Sequence, residues 1–376
     1  MSRTGAEAED RLAVSLVCEQ LFQPVPGGIG SYVRALLDAL PGQDVVVRPV
    51  VAWHARSLLR RSGLNAARRL QLPRQMAYRA WAIGMGPGVP GGTRLVHAPS
   101  LAFPPRDRRP LVVTVHDILF RTNPELYPAR SVRFHERTVA RLHQADLVLC
   151  PSRVTADALR EIRPAVRRIE VVPLGTEMKG PPREKVELVQ ARHGVRSPYV
   201  LWVGTLEPRK NLERTVQGFA HAVTEAELDE VQLCLVGPRG WLRGDPGELL
   251  AGRRDRVRWL GSVPRDELPA LYAGAEAFVF PSLAEGFGLP VLEAMACGAP
   301  VVTSDRSALP EVAGDAALLC DPTDPGSIGE AVGRVLRDRD LAGRLRRAGL
   351  ERAAGYTWDR MARETASRYR ELVGPA

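Results

Sequence analysis

The 376-residue chain is 45% hydrophobic and 25% charged, which is typical of a soluble globular protein with two cores rather than one. It has no run of about 18 apolar residues, and residues 1–10 are polar without an apolar signal core, so we expect a cytoplasmic protein, at most peripheral to the inner face of the membrane. The net charge of +9 is localised, because residues 45–105 contain nine arginines and no acid.

The first half of the chain alternates between short apolar runs and stretches with helical periodicity. Apolar runs that predict buried strands occupy residues 12–18, 45–51, 95–97, 111–116, 147–150 and 169–172. Helical patterns occupy residues 31–40, with Ser31 as the expected N-cap, 131–143 and 152–161. Strands and helices that alternate at this spacing predict a doubly wound parallel sheet.

A polar, proline-rich stretch at residues 179–185 predicts a linker, and the same alternation restarts after it. Strands are expected at residues 199–203, 231–236, 257–260, 277–280, 300–303 and 317–319, and helices at 212–222, 267–273, 289–296, 328–337, 341–355 and 358–373. We therefore expect an α/β protein with two Rossmann-like domains, residues 1–178 and 186–357. They are expected to face a cleft lined by the carboxyl ends of the strands.

The strongest chemical signal is the segment EGFGLPVLEAMACGAP, which begins at Glu285 just after an apolar strand. Gly286, Phe287 and Gly288 precede a helix, so their backbone N–H groups are expected to form an anion site at its N-terminus. Glu293 lies about one turn into that helix. Two carboxylates at this separation can bind different hydroxyl groups of one ligand beside its phosphates. A solvated loop acid and a partner of the helix dipole would leave the same pattern.

A second signal is the segment GTLEPRKNL, which begins at Gly204 after the strand at residues 199–203. Arg209 and Lys210 suit a diphosphate, because they combine a planar fork of donors with a compact point charge. The alternative is an exposed cationic turn. Gly237, in the turn after a neighbouring strand, is placed to line the same nucleotide pocket.

The first strand-to-helix turn carries the run PGGIGS, whose third residue is Gly28. Glycines there let a ligand approach the backbone closely, although a tight turn requires them as well. The run is not the GxGxxG fingerprint, and no acid ends the second strand to bind a ribose, so an NAD enzyme is not expected. His116 and Asp117 end another apolar strand, where they can reach a ligand or serve only the structure.

In this context the Glu-x7-Glu pattern of Glu285 and Glu293 resembles the signature of the family-4 glycosyltransferases, and the likeness covers residues 12–369. The resemblance implies the GT-B architecture, with the donor site in the C-terminal domain and the acceptor site in the N-terminal one. It also implies that the last helix, residues 358–376, packs back on the N-terminal domain. By the same likeness, Glu293 holds the nucleotide ribose and Glu285 contacts the donor sugar near the reacting carbon.

The resemblance also assigns roles to the other motifs. Arg209 and Lys210 would neutralise the pyrophosphate leaving group, Gly28 would touch the donor phosphates, and His116 would lie beside the site of sugar transfer. The expected catalytic residues are thus His116, Arg209, Lys210 and Glu285. The expected donor-binding residues are Gly28, Gly204, Arg209, Lys210, Gly237, Glu285, Gly286, Phe287, Gly288 and Glu293.

The expected reaction replaces a nucleoside diphosphate on an anomeric carbon with an acceptor hydroxyl. Such a step needs charge stabilisation more than a strong base, and Arg209 with Lys210 would supply it without a metal. The donor half has no Asp-x-Asp motif and the five scattered cysteines form no CxxC pair, so we expect reduced thiols and neither metal nor other cofactor. The resemblance implies retention of configuration. An inverting enzyme would need a base, such as His116 paired with Asp117.

The donor and the acceptor are less well defined. Residues 114–120 and 204–211 look most like those of mannosyl- and rhamnosyltransferases, so GDP-mannose is the first expectation, with UDP-hexoses and dTDP-deoxysugars as alternatives. The acceptor would be a hydroxyl of a glycan, a lipid-linked or a small molecule. The arginine-rich window at residues 48–79 suits a membrane interface, an anionic acceptor or an ordinary solvated face.

Two rival classes have the same gross features. A basic chain suits a nucleic-acid-binding protein, but the arginine-rich window contains no nucleic-acid-binding motif, so no nucleic-acid partner is expected. A sugar-nucleotide epimerase or a phosphorylase could share the two-lobed fold. The Gly-Gly turn without further catalytic insertions argues against both.

Overall fold

A computed structural model describes residues 11–163, 165–225, 228, 230–242 and 255–374. The chain forms two compact units. The first comprises the described residues up to Leu174 and again from Trp358 onward, and the second comprises Gly175–Thr357. The expected α/β class is confirmed, since each unit contains one parallel sheet with helices.

The first unit is built on a seven-stranded sheet, counted over the described residues, in the order β3-β2-β1-β4-β5-β6-β7. Its strands are β1 (Leu12–Val17), β2 (Val45–Val51), β3 (Arg68–Arg69), β4 (Leu95–Ala98), β5 (Leu111–Thr114), β6 (Leu147–Cys150) and β7 (Ile169–Val171). All of the pairings are parallel. The central strands β4, β5 and β6 are buried at every residue, which is why they read as unbroken apolar runs in the sequence.

The helices of the first unit before Leu174 are α1 (Gly27–Ala39), α2 (Arg56–Arg61), α3 (Arg74–Ala82), α4 (Leu119–Thr122), α5 (Ala129–Ala140) and α6 (Arg153–Ile162). The expectation that Ser31 is the N-cap of the first helix was wrong, because Pro26 is the N-cap and the glycine run forms the first turn. Gly30 is required there, since a Cβ atom would lie 2.4 Å from the Cβ of Pro26.

The second unit is built on a six-stranded sheet, counted over the described residues, in the order β10-β9-β8-β11-β12-β13. Its strands are β8 (Tyr199–Val203), β9 (Gln232–Val236), β10 (Val257–Gly261), β11 (Ala277–Phe280), β12 (Val301–Ser304) and β13 (Ala317–Cys320). These strands also pair in parallel. A crossover order with β8 in the middle is that of a doubly wound sheet.

The helices of the second unit are α7 (Arg183–His193), α8 (Leu212–Glu225), α9 (Leu268–Ala273), α10 (Leu289–Ala296), α11 (Leu309–Ala313), α12 (Pro325–Arg337) and α13 (Arg339–Ala354). Helix α7 begins within the stretch that we expected to be a linker. The proline-rich residues before it supply Pro182 as its N-cap, which is where a proline is tolerated. The stretch that we expected to be a linker therefore consists of residues 179–182, which lie in no helix or strand, followed by the first turn of α7.

Each unit has its own hydrophobic core. In the first, Trp81, Phe103 and Phe120 pack with the buried residues of β4, β5 and β6. In the second, Trp202, Phe219 and Ile328 are among the largest side chains between the sheet and helices α8 and α12. All five cysteines fall within the described residues and are free and buried. A chain of this length was expected to form two cores, and the structure has two.

The last helix, α14 (Trp358–Val373), belongs to the first unit. It packs against α1 and against the 3₁₀ turn Leu40–Gln43. Its buried side chains include Trp358, Met361 and Tyr369. The chain therefore returns to its first core after completing the second.

Candidate active site

Four charged side chains form a cluster at the carboxyl edge of the second sheet. The Glu285 carboxylate accepts a hydrogen bond from Arg209 Nη1 at 2.6 Å and one from Lys210 Nζ at 2.6 Å. Arg209 also pairs through Nη2 with Glu207 Oε1 at 2.7 Å. Glu207, Lys210 and Glu285 are all buried. The structure thus joins the two motifs that the sequence singled out, at residues 204–212 and 285–300.

The backbone of this cluster is fixed by neighbouring loops. Ser282 donates its hydroxyl hydrogen bond to Glu285 Oε1 at 2.7 Å. The Asn211 amide donates to the carbonyls of Pro281 at 2.9 Å and Pro322 at 2.6 Å, from a left-handed backbone with φ of 59°. These bonds tie the turn after β8 to the ends of β11 and β13. These hydrogen bonds therefore hold the turn that carries Arg209 and Lys210 in place.

Electrostatics in the cluster favour the ionised form of Glu285. Burial alone would raise the pKa of this carboxyl, but the charges of Arg209 and Lys210 outweigh it and lower the pKa to about 2. Lys210 also lies over the Phe280 ring, with Nζ 4.6 Å from the centroid. Among the described residues, the cluster thus combines two cations with two anions, and most of these side chains are buried.

The second carboxylate of the motif has different surroundings. Glu293 lies in α10, is buried, and accepts hydrogen bonds from Arg265 Nη2 at 3.1 Å and from the Tyr272 hydroxyl at 3.4 Å. Burial raises the pKa of Glu293, and Arg265 opposes that effect. A buried carboxylate with two long contacts retains acceptor capacity for a ligand.

The loop before α10 has a backbone that requires glycine at one position. Gly288 is the N-cap of α10 and has a φ of 107°, and a Cβ atom there would lie 2.5 Å from Leu309 Cδ2. Phe287 beside it is buried, with its ring 6.1 Å from that of Tyr356. Gly286 precedes them in the same loop. The helix N-terminus and the charged cluster thus adjoin through Glu285.

The turns after β8 and β9 approach each other very closely. At Gly237, whose φ is 144°, a Cβ atom would lie only 1.8 Å from the carbonyl oxygen of Gly204. The two turns are also linked by the hydrogen bond from Gly204 N–H to the Val236 carbonyl, at 2.9 Å. Gly204 and Gly237 therefore lie at the same edge of the sheet as Arg209 and Lys210. Backbone at this edge is left uncovered by side chains of these residues.

The two sequence candidates from the first half belong to the first unit. Gly28 lies in the first turn of α1. His116 follows β5 and donates Nε2–H to the Pro99 carbonyl at 3.0 Å, while the Tyr32 ring packs edge-on against it. Burial lowers the pKa of His116, so its ring is neutral near pH 7. The Asp117 carboxylate accepts from the Leu119 N–H at 3.1 Å, and no hydrogen bond between described residues joins it to His116.

Sequence reasoning missed four residues that complete this geometry: Glu207, Ser282, Arg265 and Tyr272. Glu207 could have been found, because an acid beside Arg209 in a motif after a buried strand is a signal for an ion pair. Arg265 and Tyr272 bond to Glu293 from 28 and 21 positions away in the chain, so only the fold brings them together. Ser282 lies three residues before Glu285, but a lone serine in a loop gives no signal of its own. Among the described residues, no group of three His, Cys, Asp or Glu could hold a metal ion, and no helix is long and apolar enough to cross a membrane.

Comparison with known proteins gives matches in both halves of the chain. Residues 26–179 match the family described as Glycosyltransferase Family 4, and residues 186–352 match Glycosyl transferases group 1. The chain is 33% identical over 382 residues to O-antigen chain mannosyltransferase B of Escherichia coli, covering 99% of this chain and 96% of that protein. It is 29% identical over 300 residues to the MMP alpha-(1->4)-mannosyltransferase of Mycolicibacterium hassiacum, covering 75% and 69%.

Among solved structures, HepE of Anabaena in complex with UDP-glucose is similar in fold. The TM-score is 0.71 at 19% identity, and the likeness covers 96% of this chain and 100% of that chain.

Proposed function

This chain belongs to glycosyltransferase family 4 and has the GT-B architecture expected from its sequence; from that premise we propose that it transfers a mannosyl group from GDP-mannose to an acceptor hydroxyl, with retention of configuration. It is a glycosyltransferase. The observation that carries the proposed donor site is the buried cluster of Arg209, Lys210 and Glu285 at the carboxyl edge of the second sheet. The identities of the donor sugar, the nucleotide and the acceptor belong to the proposal.

Arg209 and Lys210 are suited to the diphosphate of the donor. An ammonium group has three N–H donors, and the Lys210 ammonium spends one of them on Glu285. Stabilising the departing diphosphate in a partly desolvated site is the largest contribution that such a cluster can make to catalysis. The paired glutamates keep together two cations that would otherwise repel each other.

The two glutamates differ in the acceptor capacity that they have left. The Glu285 carboxylate already accepts from Arg209, Lys210 and Ser282, and a carboxylate has about four acceptor positions, so one donor-sugar hydroxyl can be added. Glu293 accepts only from Arg265 and Tyr272 among the described residues, which leaves about two positions. Two positions suit the adjacent hydroxyls of a ribose. This difference favours a ribonucleotide over the dTDP alternative.

Retention is supported by the state of His116. The inverting alternative needs a base, and a histidine base is usually oriented by a carboxylate. Here His116 donates to the Pro99 carbonyl, and Asp117 binds a backbone N–H instead. We therefore propose that the leaving phosphate assists the acceptor proton, and that His116 lies beside the transferred sugar.

Mannose as the transferred sugar is supported by the relatives. Both relatives described above bear the name mannosyltransferase, one from Escherichia coli and one from Mycolicibacterium hassiacum. The HepE structure contains UDP-glucose, so a UDP-hexose is the alternative donor. We propose that neither a metal ion nor another cofactor is needed, since two side-chain cations face the diphosphate.

We further propose that the first unit contacts an anionic membrane that carries a lipid-linked acceptor. Most of the large exposed apolar side chains described in this unit lie between residues 25 and 85, with Val154 apart from them: Val25, Trp53, Leu58, Met76, Ile83 and Met85. The same part has exposed arginines in α2 and α3 and no acid between residues 45 and 105. Apolar and basic side chains together favour the surface of an anionic bilayer over a soluble anionic acceptor.

A thermal-shift panel with GDP, UDP, ADP and dTDP tests the donor proposal. A nucleotide at about a hundred times its dissociation constant adds roughly 2.7 kcal/mol of stability. We expect GDP to raise the melting temperature most, with and without EDTA. The Lys210→Ala protein should lose the GDP-induced shift, whereas Lys185→Ala, on an exposed part of α7, should keep it. Each variant is compared with itself without nucleotide, so a lower starting stability does not affect the result.

Other outcomes of the panel contradict parts of the proposal. A larger shift with UDP would replace GDP-mannose by a UDP-hexose, and a shift that EDTA removes would contradict the metal-free site. A protein that responds to short nucleic acids and to no nucleotide would contradict the donor site itself. Retention is tested by NMR of the first product formed from α-linked GDP-mannose, where a β-configured product would contradict it.

A further inference from the structure

Four buried polar side chains of the first unit form a continuous hydrogen-bonded chain. The Tyr369 hydroxyl lies 2.6 Å from His97 Nδ1, and His97 Nε2 lies 2.8 Å from Thr114 Oγ1. Thr114 Oγ1 in turn lies 3.0 Å from the Tyr32 hydroxyl. These residues come from α14, β4, β5 and α1 and are at most 2% exposed. Side chains from four separate elements therefore meet in one polar network inside an apolar core.

This network has a defined order because His97 is neutral. Burial is the main cause that lowers the pKa of His97 to about 3, with a smaller contribution from His116. A neutral imidazole has one N–H donor and one acceptor nitrogen, so Tyr369 and Thr114 must take opposite parts. The groups along the chain then donate their hydrogen bonds in one common direction. A fully satisfied buried network of this kind holds its members rigidly.

The network ends against His116. The Tyr32 ring packs edge-on against the His116 imidazole, with centroids 5.0 Å apart and planes at 81°. The Pro99 carbonyl accepts the His116 Nε2–H and so fixes the tautomer of the ring. Tyr32 is thus the contact through which the buried chain reaches the histidine, and its hydroxyl is anchored to Thr114.

We propose that Tyr369 is a positioning residue for His116, because its hydroxyl anchors the His97–Thr114–Tyr32 chain whose last ring sets the plane of the His116 imidazole. The last helix would then orient a residue that we place beside the transferred sugar. The catalytic consequence rests on the proposed function, whereas the effect on His116 itself does not. Titratable groups that face His116 among the described residues are Tyr32 from α1, His97 from β4 and the neighbouring Asp117.

The test is Tyr369→Phe, which removes the hydroxyl and keeps the ring. Loosening of the network admits water beside His116, so its pKa, which burial lowers, is expected to move up toward the ordinary histidine value. NMR titration of the histidine rings measures that shift. We also expect kcat to fall about fivefold, with the KM for the donor within about twofold, as for loss of one buried hydrogen bond that orients a residue beside the reacting centre.

A matched control is Tyr199→Phe in the second unit. The Tyr199 side chain is also buried, and its hydroxyl donates to the Leu271 carbonyl at 2.6 Å. This variant loses the same chemical group and a comparable hydrogen bond. We expect it to lower the melting temperature while leaving the His116 titration and kcat unchanged. If Tyr369→Phe behaves like this control, the positioning role is overturned.

A second variant covers the case in which Tyr369→Phe does not fold. Thr114→Val has nearly the same shape and breaks both the link to His97 and the link to Tyr32. It is expected to raise the pKa of His116 in the same way, and an unchanged titration would overturn the proposal. The NMR readout applies even to a protein without mannosyltransferase activity. If the wild-type protein is inactive but the variants still raise the pKa of His116, the proposed function is contradicted and the positioning role is supported.

Discussion

Glu285 and Glu293 are both buried glutamates of one motif, yet their pKa values are shifted in opposite directions. Glu285 faces two cations, which lower its pKa to about 2. Glu293 faces one partly exposed arginine, so burial prevails and its pKa is raised. The same residue type at two positions therefore serves as a fixed anion in one place and as an adaptable acceptor in the other.

The Glu285 shift predicts a pH-dependent contribution to stability. The pKa of Glu285 in the folded protein, about 2, lies below the ordinary glutamate value of 4.5, so the stabilisation is complete above pH 4.5 and is lost as the pH falls toward 2. A shift of this size corresponds to roughly 3 kcal/mol. In urea unfolding, Glu285→Gln should be less stable than wild type by about that amount at pH 7, with a gap that narrows in acid.

The control for this prediction is Glu276→Gln, an exposed glutamate that pairs with Arg346 across 3.6 Å. Exposed pairs contribute about 0–1 kcal/mol, so this variant should match wild type within that range at every pH. A Glu285→Gln gap that is independent of pH would show that packing, rather than charge, accounts for the loss.

Sequence reasoning reached the charged site through local motifs and stopped where contacts are long-range. Glu285, Arg209 and Lys210 each belong to a segment with its own strand-to-helix pattern. The bond between His97 and Tyr369, by contrast, joins residues 272 positions apart. A histidine in an apolar strand and a tyrosine in an amphipathic helix give no local sign of each other, since both read as ordinary core positions.

At the scale of elements, the strands were the most predictable part. Central strands such as β5 and β6 are buried on both faces and appear as apolar runs. The elements β3, α2 and α3 were not predicted, because their arginines and apolar residues follow no clear period. The start of α1 was misplaced because glycines in a first turn look like a loop.

The close approach of the turns after β8 and β9 gives a prediction for the second sheet. Gly237→Ala would place a methyl group 1.8 Å from the Gly204 carbonyl oxygen, so the two turns must separate. We expect a loss of stability of roughly 2 kcal/mol or more and a loss of the nucleotide-induced thermal shift. Calorimetry with and without GDP measures both.

Gly261→Ala is the matched control for that change. Gly261 is the last residue of β10 and also has a positive φ, of 70°, but a Cβ atom there has no atom within 4 Å. The strained backbone alone should cost about 1–2 kcal/mol, and the response to GDP should persist. Equal effects of the two substitutions would mean that backbone strain, not the close approach to Gly204, limits the site.

At the scale of the whole molecule, charge and exposed apolar area coincide in the first unit. This coincidence predicts binding to vesicles that contain phosphatidylglycerol and little binding to pure phosphatidylcholine, measured by co-sedimentation. Met85→Glu, at a side chain that is 64% exposed, should weaken the binding about fivefold. Salt should weaken the wild-type binding as well.

The control is Leu188→Glu in the second unit, where the side chain is similarly exposed, at 57%. It adds the same charge to the protein and should leave vesicle binding nearly unchanged. Equal loss in both variants would assign the binding to net charge, and equal binding to neutral and anionic vesicles would contradict the anionic membrane surface.

The return of α14 to the first unit bears on how the protein is made. Synthesis proceeds from the N-terminus, so residues up to Leu174 leave the ribosome long before Tyr369 exists. Until then, the polar nitrogen of His97 that faces Tyr369 has no protein partner inside the core. The first unit therefore lacks its last helix while the second unit is translated. A chain that ends before α14 would lack the hydroxyl that pairs with this nitrogen of His97.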